Sequence, residues 1–121
     1  MALNRVTLIG NVGKRPETRT FENGSRVTSF TLATTERYTD RDGERRELTE
    51  WHNVTAFGRL AETAEKYVDK GQLVYVEGKL RTRTWETGDG ERRQTTEIVC
   101  SALQLLGKPR GDRGPEDDMP E

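Results

Sequence analysis

The sequence predicts an all-β domain, a small closed barrel of five strands with one helix between the third and the fourth strand. Five segments alternate apolar and polar residues at the period of two that a strand requires, and one segment has helical spacing. The chain has 121 residues, of which 31% are hydrophobic and 34% charged, so its core must be small. A barrel or a short sandwich suits such a core better than a large α/β layer, and the length fits one domain.

The first two predicted strands are joined by a hairpin. Residues 3–12 carry aliphatic side chains on both faces, which indicates that both faces are covered, one of them by another subunit. Gly13 and Pro16 interrupt this strand, and residues 17–21 resume it as a short extension. Asn23-Gly24 is a strong hairpin signal. Residues 26–35 then form the second strand, with Phe30 and Leu32 towards the core.

A polar arm separates the second strand from the third. Residues 36–49 carry charges of both signs around an Asp42-Gly43 turn, and we predict a long β-hairpin arm. For any single arginine of this arm, a solvated loop position is the alternative. Residues 50–57 form the third strand, in which Val54 and Ala56 share one face with His52. The opposite, polar face carries Trp51 and Phe57.

The second half of the chain holds the helix and two long strands. Residues 59–70 form the helix, Gly71 is its expected left-handed C-terminal residue, and one apolar stripe is expected to hold Leu60, Ala64, Tyr67 and Val68. Residues 73–85 are the fourth strand, with a bend at Gly78, and residues 94–106 are the fifth. We therefore expect a folded domain over residues 1–107 and a short disordered acidic tail over residues 108–121.

The fourth strand carries the clearest functional signal. One face, with Val74, Val76 and Leu80, can be buried, whereas the other turns cationic with Lys79, Arg81 and Arg83 and ends in Trp85. Cations that follow phosphates, beside a ring on which a base can stack, are the components of a groove for single-stranded nucleic acid. The alternative is a half-exposed edge strand whose tryptophan caps the core and whose arginines are solvated.

Composition argues against several other classes of protein. Cys100 is the only cysteine, so no intrachain disulfide can form, which is typical of a reducing cytoplasm. No apolar run is long enough to cross a membrane, and the N-terminus does not have the pattern of a signal peptide. One histidine, one cysteine and no carboxylate cluster give little support to a metal site, a cofactor or an enzyme. Residues 1–107 hold 17 basic and 16 acidic side chains, but a near-neutral body can still bind a polyanion if its cations line one groove.

The order of three strands, a helix and two strands is that of the OB-fold, whose strand faces and loops bind oligonucleotides and oligosaccharides. Over residues 3–106 the chain resembles bacterial single-stranded DNA-binding proteins (SSB). The similarity is carried by residues 4–13 with Pro16-Glu17, and by residues 31–34, 49–52, 57–62, 70–71, 74–78 and 80–83, which keep the order and spacing of that family.

This resemblance implies a homotetramer that coats single-stranded DNA in replication, recombination and repair. The implied base-stacking rings are Tyr38, Trp51, Phe57 and Trp85, with Tyr38 at a position where many relatives have a tryptophan. The implied phosphate contacts are Arg5, Arg59, Lys70, Arg81 and Arg83. His52 and Tyr75 fall at subunit-interface positions of the family.

The tail departs most from the family pattern, which usually ends in a long linker and an acidic tip with a terminal Pro-Phe that docks on replication and repair proteins. Here the linker is short, and the expected partner-binding residues are Asp117, Asp118, Met119, Pro120 and Glu121. An apolar pocket would have to desolvate the charged Glu121, so we expect weakened or altered docking. The alternative is that the acidic end only solubilises the chain and competes with DNA for the groove.

Three rival functions follow from the same residues. The first is an OB-fold protein-interaction or primosome accessory module with little affinity for single-stranded DNA, in which the aromatic rings form a subunit interface. The second is an RNA-binding protein of the cold-shock type, against which the helix and the length argue. The third, an enzyme, has the least support from the residue types present.

Overall fold

The computed structural model describes residues 1–107. Its elements are β1 Val6–Val12, β2 Glu17–Thr20, β3 Arg26–Thr39, β4 Arg45–Phe57, α1 Gly58–Tyr67, β5 Leu73–Glu86 and β6 Arg92–Leu105. β1 and β2 are the two parts of the first predicted strand, so the predicted five-stranded barrel with one helix is confirmed. The tail predicted over residues 108–121 lies outside the described residues.

The sheet closes on itself. The strand order is β1-β5-β6-β4-β3-β2, and β1 also pairs with β3 through Asn11↔Ala33 and Val12↔Leu32. β4 and β6 pair in parallel through Val54↔Ile98 and Thr55↔Val99. Closure leaves no open edge along the barrel wall, so the inward faces enclose one core.

The core uses the faces that the alternation predicted. Leu32, Val54, Val74 and Val76 are fully buried, with Phe30 almost so. Helix α1 packs against β3, β4 and β6, and the Thr28 hydroxyl donates a hydrogen bond of 2.9 Å to the carbonyl oxygen of Ala61.

The helix differs from its prediction at both its apolar stripe and its end. The buried stripe is Ala61, Ala64 and Val68, at the spacing i, i+3 and i+7, and Tyr67 is 61% exposed. The prediction for Tyr67 was wrong because that residue lies one position, about 100°, away from Val68 around the helix. The helix ends at Tyr67, not at residue 70, so Gly71, although its φ is 83°, lies in the following loop.

Two long ribbons extend from the barrel. β3 and β4 stay paired out to Thr39↔Arg45, which confirms the predicted hairpin arm, and β5 and β6 stay paired out to Glu86↔Arg92. In β5 the buried face ends at Gly78, and Leu80, which we expected to be buried, is 49% exposed.

The register explains why Leu80 is exposed. Pairing shifts by one residue between Glu77 and Gly78, and a Cβ atom at Gly78 would lie 2.1 Å from the carbonyl oxygen of Val99. A side chain at position 78 would therefore collide with β6. Ile98, the cross-strand partner of Leu80, is still buried, whereas every residue of β5 after Gly78 is exposed, so β5 leaves the core at this point. Leu80 is held instead through its backbone, because its N–H donates to Asn4 and its carbonyl oxygen accepts from the Asn4 amide, at 2.9 Å each. These contacts tie down residues 3–5, which we predicted as strand but which precede the first residue of β1.

Candidate nucleic-acid interface

The outer face of β4 carries two exposed rings. Trp51 is 62% exposed and Phe57 is 39% exposed, whereas Val54 and Ala56 on the inner face are fully buried. Thr55 lies between the rings and is only 5% exposed, which shows that neighbouring side chains cover this part of the outer face.

The Trp51 indole lies against the loop that follows β1. A Cβ atom at Gly13 would be 2.3 Å from Cζ3 of Trp51 and 2.6 Å from the Thr31 hydroxyl oxygen. Because position 13 is a glycine, the indole can lie this close to the loop. The sequence predicts a strand break at Gly13 and includes this residue in the family resemblance, but nothing local in the sequence shows that a residue 38 positions away will lie over it.

The β5 ribbon brings a second aromatic segment to the same face. Arg81, Arg83 and Trp85 alternate on one face of β5, and Trp85 is 45% exposed. Arg81 connects this face to β4 through Glu97 on the intervening strand β6. Nη2 of Arg81 lies 2.8 Å from Oε2 of Glu97, and the Thr55 hydroxyl donates to Oε1 of Glu97 at 3.0 Å. Trp51, Phe57, Arg81, Arg83 and Trp85 therefore lie on the same side of the sheet, and we call this surface the aromatic face.

Arg81 also contacts Phe57 directly. Its Cζ lies 5.4 Å from the centre of the Phe57 ring, which is cation–π distance. The side chain of Glu97 is only 8% exposed, compared with 44% for that of Arg81. Glu97 was not among the sequence-predicted site residues, although it is the direct cross-strand partner of Arg81.

The five predicted phosphate contacts fall into two groups. Arg5 and Arg81 each form a salt bridge, Arg5 with Glu77 at 3.0 Å and Arg81 with Glu97. The other three, which are exposed and form no salt bridge within residues 1–107, are Arg59, Lys70 and Arg83.

Tyr38 lies apart from the other three rings. Trp51 pairs with Ala33, and Tyr38 is an odd number of residues from Ala33 along an unbroken register. Because successive side chains alternate, Tyr38 points to the opposite face of the β3–β4 ribbon from Trp51. It is 51% exposed and pairs with Arg46 across the ribbon.

The two predicted interface residues are partly buried and hydrogen-bonded within the chain. Nε2 of His52 lies 2.9 Å from the hydroxyl oxygen of Thr34. The Tyr75 hydroxyl donates to Glu77 at 2.8 Å, and this bond to a carboxylate raises the pKa of the tyrosine. Ile9, the cross-strand neighbour of Tyr75, is 55% exposed on the outside of β1.

The remaining predictions concern the tail, metals and membranes. Asp117, Asp118, Met119, Pro120 and Glu121 all lie outside the described residues. Within residues 1–107, no three His, Cys, Asp or Glu side chains are grouped so that they could hold a metal ion. No helix in this part of the chain is long and apolar enough to span a membrane.

Comparison with known proteins identifies the family. The model of the single-strand binding protein family matches residues 3–106. The chain belongs to the single-strand binding protein family. It is 44% identical over 116 residues to single-stranded DNA-binding protein 1 of Chlorobaculum tepidum, covering 95% of this chain and 72% of that one. It is 46% identical over 107 residues to the single-stranded DNA-binding protein of Neisseria meningitidis, covering 88% of this chain and 62% of that one.

Solved structures agree with this assignment. The Plasmodium falciparum SSB in complex with single-stranded DNA superposes with a TM-score of 0.82 at 36% identity, covering 88% of this chain and 97% of that one. A deletion mutant of the single-stranded DNA binding protein from Thermus aquaticus superposes with a TM-score of 0.76 at 34% identity, covering 90% of this chain and 52% of that one. The chain thus spans about half to two thirds of the Thermus and Neisseria proteins.

Proposed function

We propose that this protein binds single-stranded DNA without sequence preference and coats it during replication, recombination and repair. The observation that carries the proposal is the aromatic face, where exposed Trp51 and Phe57 of β4 share one side of the sheet with Arg81, Arg83 and Trp85 of β5. Family membership supports the same function, and it makes the protein-interaction module without DNA affinity the less favoured alternative.

The first contribution to binding is base stacking. Each base stacked on an aromatic ring is worth about 1–3 kcal/mol, and the gain is nearly independent of base identity because every base has a π face. Duplex DNA keeps those faces covered by neighbouring bases, so preference for single strands requires no hydrogen bond to a base edge. We assign stacking to Trp51, Phe57 and Trp85, with Tyr38 as a separate platform on the β3–β4 arm.

The second contribution is phosphate neutralisation with release of counterions, which gives a slope of about −0.7 in log K against log salt for each contact on a single strand. We assign this role first to Arg59, Lys70 and Arg83, since they are exposed and form no salt bridge within residues 1–107. Arg5 has its charge compensated by Glu77, so a phosphate would have to compete for it.

We further propose a homotetramer with His52 and Tyr75 at subunit interfaces. The exposed Ile9 on the outside of β1 supports this, since it extends the Tyr75 surface with an apolar side chain.

The acidic tail, with Asp117 to Glu121, is proposed to contact replication and repair proteins. A cytoplasmic location and the lack of catalytic activity are likewise proposed, on the unpaired cysteine and on relatives that are named for binding.

Fluorescence anisotropy with labelled DNA tests the proposal. We expect saturable binding of a labelled oligo(dT), little binding of a duplex of equal length, and similar affinity for oligo(dC), since stacking does not select a base. Equal affinity for duplex and single strand, or no binding of oligo(dT) by a folded oligomer, would contradict it. The second result would favour the protein-interaction module.

A further inference from the structure

Glu97 is a buried carboxylate with both oxygens in use. Its side chain is 8% exposed, Oε1 accepts a hydrogen bond from Thr55 at 3.0 Å, and Oε2 accepts two from Arg81, from Nη2 at 2.8 Å and from Nε at 3.3 Å. An ionised carboxylate at this depth requires a compensating charge, which Arg81 supplies. Two donors of the Arg81 guanidinium, Nε and Nη2, bind the same oxygen of Glu97, and Glu97 is itself buried. These two facts fix the orientation of the guanidinium.

The fixed guanidinium lies over Phe57. Its Cζ is 5.4 Å from the ring centre, so one face of the ring is taken by Arg81 while the residue as a whole remains 39% exposed. Phe57 is the last residue of β4 and is followed by the first helical residue Gly58, so no further strand residue restrains its ring from that side. Arg81 is therefore the side chain that defines which face of the ring is open.

We propose that Arg81 is a positioning residue for Phe57, anchored by Glu97, and not a phosphate contact. In this arrangement the guanidinium supports one face of the ring and leaves the opposite face for a base, so Arg81 acts on DNA through the phenyl group. The inference rests on the proposed function, because it assumes that a base stacks on Phe57.

Charge compensation separates Arg81 from its neighbour Arg83. Both lie on the same face of β5, but Arg83 forms no salt bridge within residues 1–107 and its cross-strand partner is the neutral Thr95. If Arg81 keeps its bond to Glu97 in the complex, it releases no counterion, whereas Arg83 does. The two residues should thus differ in their effect on the salt dependence of binding.

The test compares Arg81→Gln with Arg83→Gln in the full chain, using oligo(dT) affinity measured over a series of salt concentrations. Glutamine at position 81 can still donate to Glu97 but does not compensate its charge, so Arg81→Gln is also made together with Glu97→Gln. Thermal unfolding checks that all variants fold. We expect Arg83→Gln to flatten the slope of log K against log salt by about 0.7. The variant with both Arg81→Gln and Glu97→Gln, which removes both charges of the pair, should leave the slope unchanged and lower the affinity by a similar factor at low and high salt.

A double-mutant cycle tests whether Arg81 acts through Phe57. We expect Phe57→Leu alone and Arg81→Gln alone each to lower the affinity, and the double variant to bind no more weakly than Phe57→Leu. A slope flattened by the combined Arg81→Gln and Glu97→Gln variant as much as by Arg83→Gln, or losses that add when Phe57→Leu and Arg81→Gln are combined, would overturn the proposal.

Glu97→Gln provides an independent test that does not remove Arg81. The amide keeps the size of the carboxylate, and its oxygen can still accept from Arg81 while its NH2 group donates to the Thr55 hydroxyl. Without the negative charge Arg81 becomes available to phosphate, and the slope should steepen by about 0.7. Glu22→Gln is the control, since it removes the same charge from an exposed turn residue that forms no salt bridge within residues 1–107 and therefore frees no arginine. Equal slopes for these two variants would contradict the anchoring role of Glu97.

If the unaltered protein bound no oligo(dT), the proposed function itself would fail. That outcome differs from a failure of the role proposed for Arg81, which is seen only by comparing variants that bind.

Discussion

At the scale of single residues, the aromatic face depends on small contacts that hold each ring. Gly13 is the clearest case, because the Trp51 indole occupies the space where a Cβ atom would be. The atoms that such a Cβ would meet first belong to side chains, the Trp51 ring and the Thr31 hydroxyl, and not to the backbone. The ring would therefore move, and the barrel would not.

We predict that Gly13→Ala lowers the affinity for oligo(dT) by up to the value of one stacked base, about 1–3 kcal/mol. The free energy of unfolding should fall by about 1 kcal/mol or less, because the ring can move away from the added methyl group. Gly88→Ala is the control, since a Cβ atom at Gly88 meets nothing within 4 Å. Anisotropy titrations measure the affinity, and thermal unfolding measures the stability. An unchanged affinity in Gly13→Ala would show that the position of the Trp51 ring against the loop does not affect DNA binding.

Asp40 gives a prediction on pH at the turn of the β3–β4 arm. Its carboxylate accepts hydrogen bonds from Arg46 and from the backbone N–H groups of Glu44 and Asp42, and the Arg46 bond contributes most to lowering the pKa of Asp40 below 3.8. A lowered pKa in the folded state stabilises the turn above the unfolded value, and this stabilisation is lost as the pH falls through the folded value.

An NMR titration of the Asp40 carboxyl group should therefore have its midpoint below 3.8. Arg46→Gln should move that midpoint upwards, because the largest cause of the shift is removed. A midpoint that does not respond to Arg46→Gln would show that this pair does not form in solution.

At the scale of elements, the two faces of the β3–β4 ribbon are not equivalent. Trp51 belongs to the aromatic face together with Phe57, whereas the register directs Tyr38 to the other face. The sequence predicted all four rings as one set, since it shows exposure of a ring on a polar strand but not the strand register. Tyr38 is placed on the opposite face by the pairing of β3 with β4, which is seen only in the structure.

We predict that Trp51→Ala weakens binding of a short oligo(dT), of the length that one aromatic face can hold, by about 1–3 kcal/mol. Tyr38→Ala should have a much smaller effect on that short strand and a clear effect only on a longer one that reaches the other face. Affinity as a function of oligonucleotide length measures this difference. Equal losses on the shortest strand that binds would place Tyr38 on the aromatic face after all.

The strand faces were predictable where one face is buried in the barrel and not where a strand leaves it. Alternation correctly placed Phe30 and Leu32 inside and Trp51 outside, because burial on one face imposes a period of two. The same alternation failed for Leu80, since the period continues in the sequence after the core has ended at Gly78. The sequence pattern contains no signal for that end apart from the glycine itself.

At the scale of the whole molecule, closure of the barrel is what brings distant residues to one surface. Phe57 and Arg81 come from strands that are separated by the helix, and they meet because β6 lies between β4 and β5 and carries Glu97. The order of elements was sufficient to predict the fold, but the contact among these three residues follows from the register of β5 on β6. Glu97 was therefore missed, although it lies within the predicted fifth strand.

The acidic end leads to a prediction for the whole chain. If the tail recruits replication or repair proteins, a chain without residues 115–121 should recover fewer of them in a pull-down and should bind oligo(dT) at least as tightly, because a competing polyanion is gone. Restoring a phenylalanine with Glu121→Phe should increase recovery if the charged terminus weakens docking. Equal recovery by all three chains would remove the docking role.

The central claim, that bases stack on the aromatic face, is tested most directly by intrinsic tryptophan fluorescence. Trp85→Phe leaves Trp51 as the only tryptophan and Trp51→Phe leaves only Trp85, and each variant is titrated with poly(dT) at low and at high salt. We predict strong, saturable quenching of both tryptophans, persisting at high salt because stacking does not depend on counterion release. Binding seen by anisotropy without quenching of either tryptophan would contradict the account, since DNA would then be held somewhere other than on these rings.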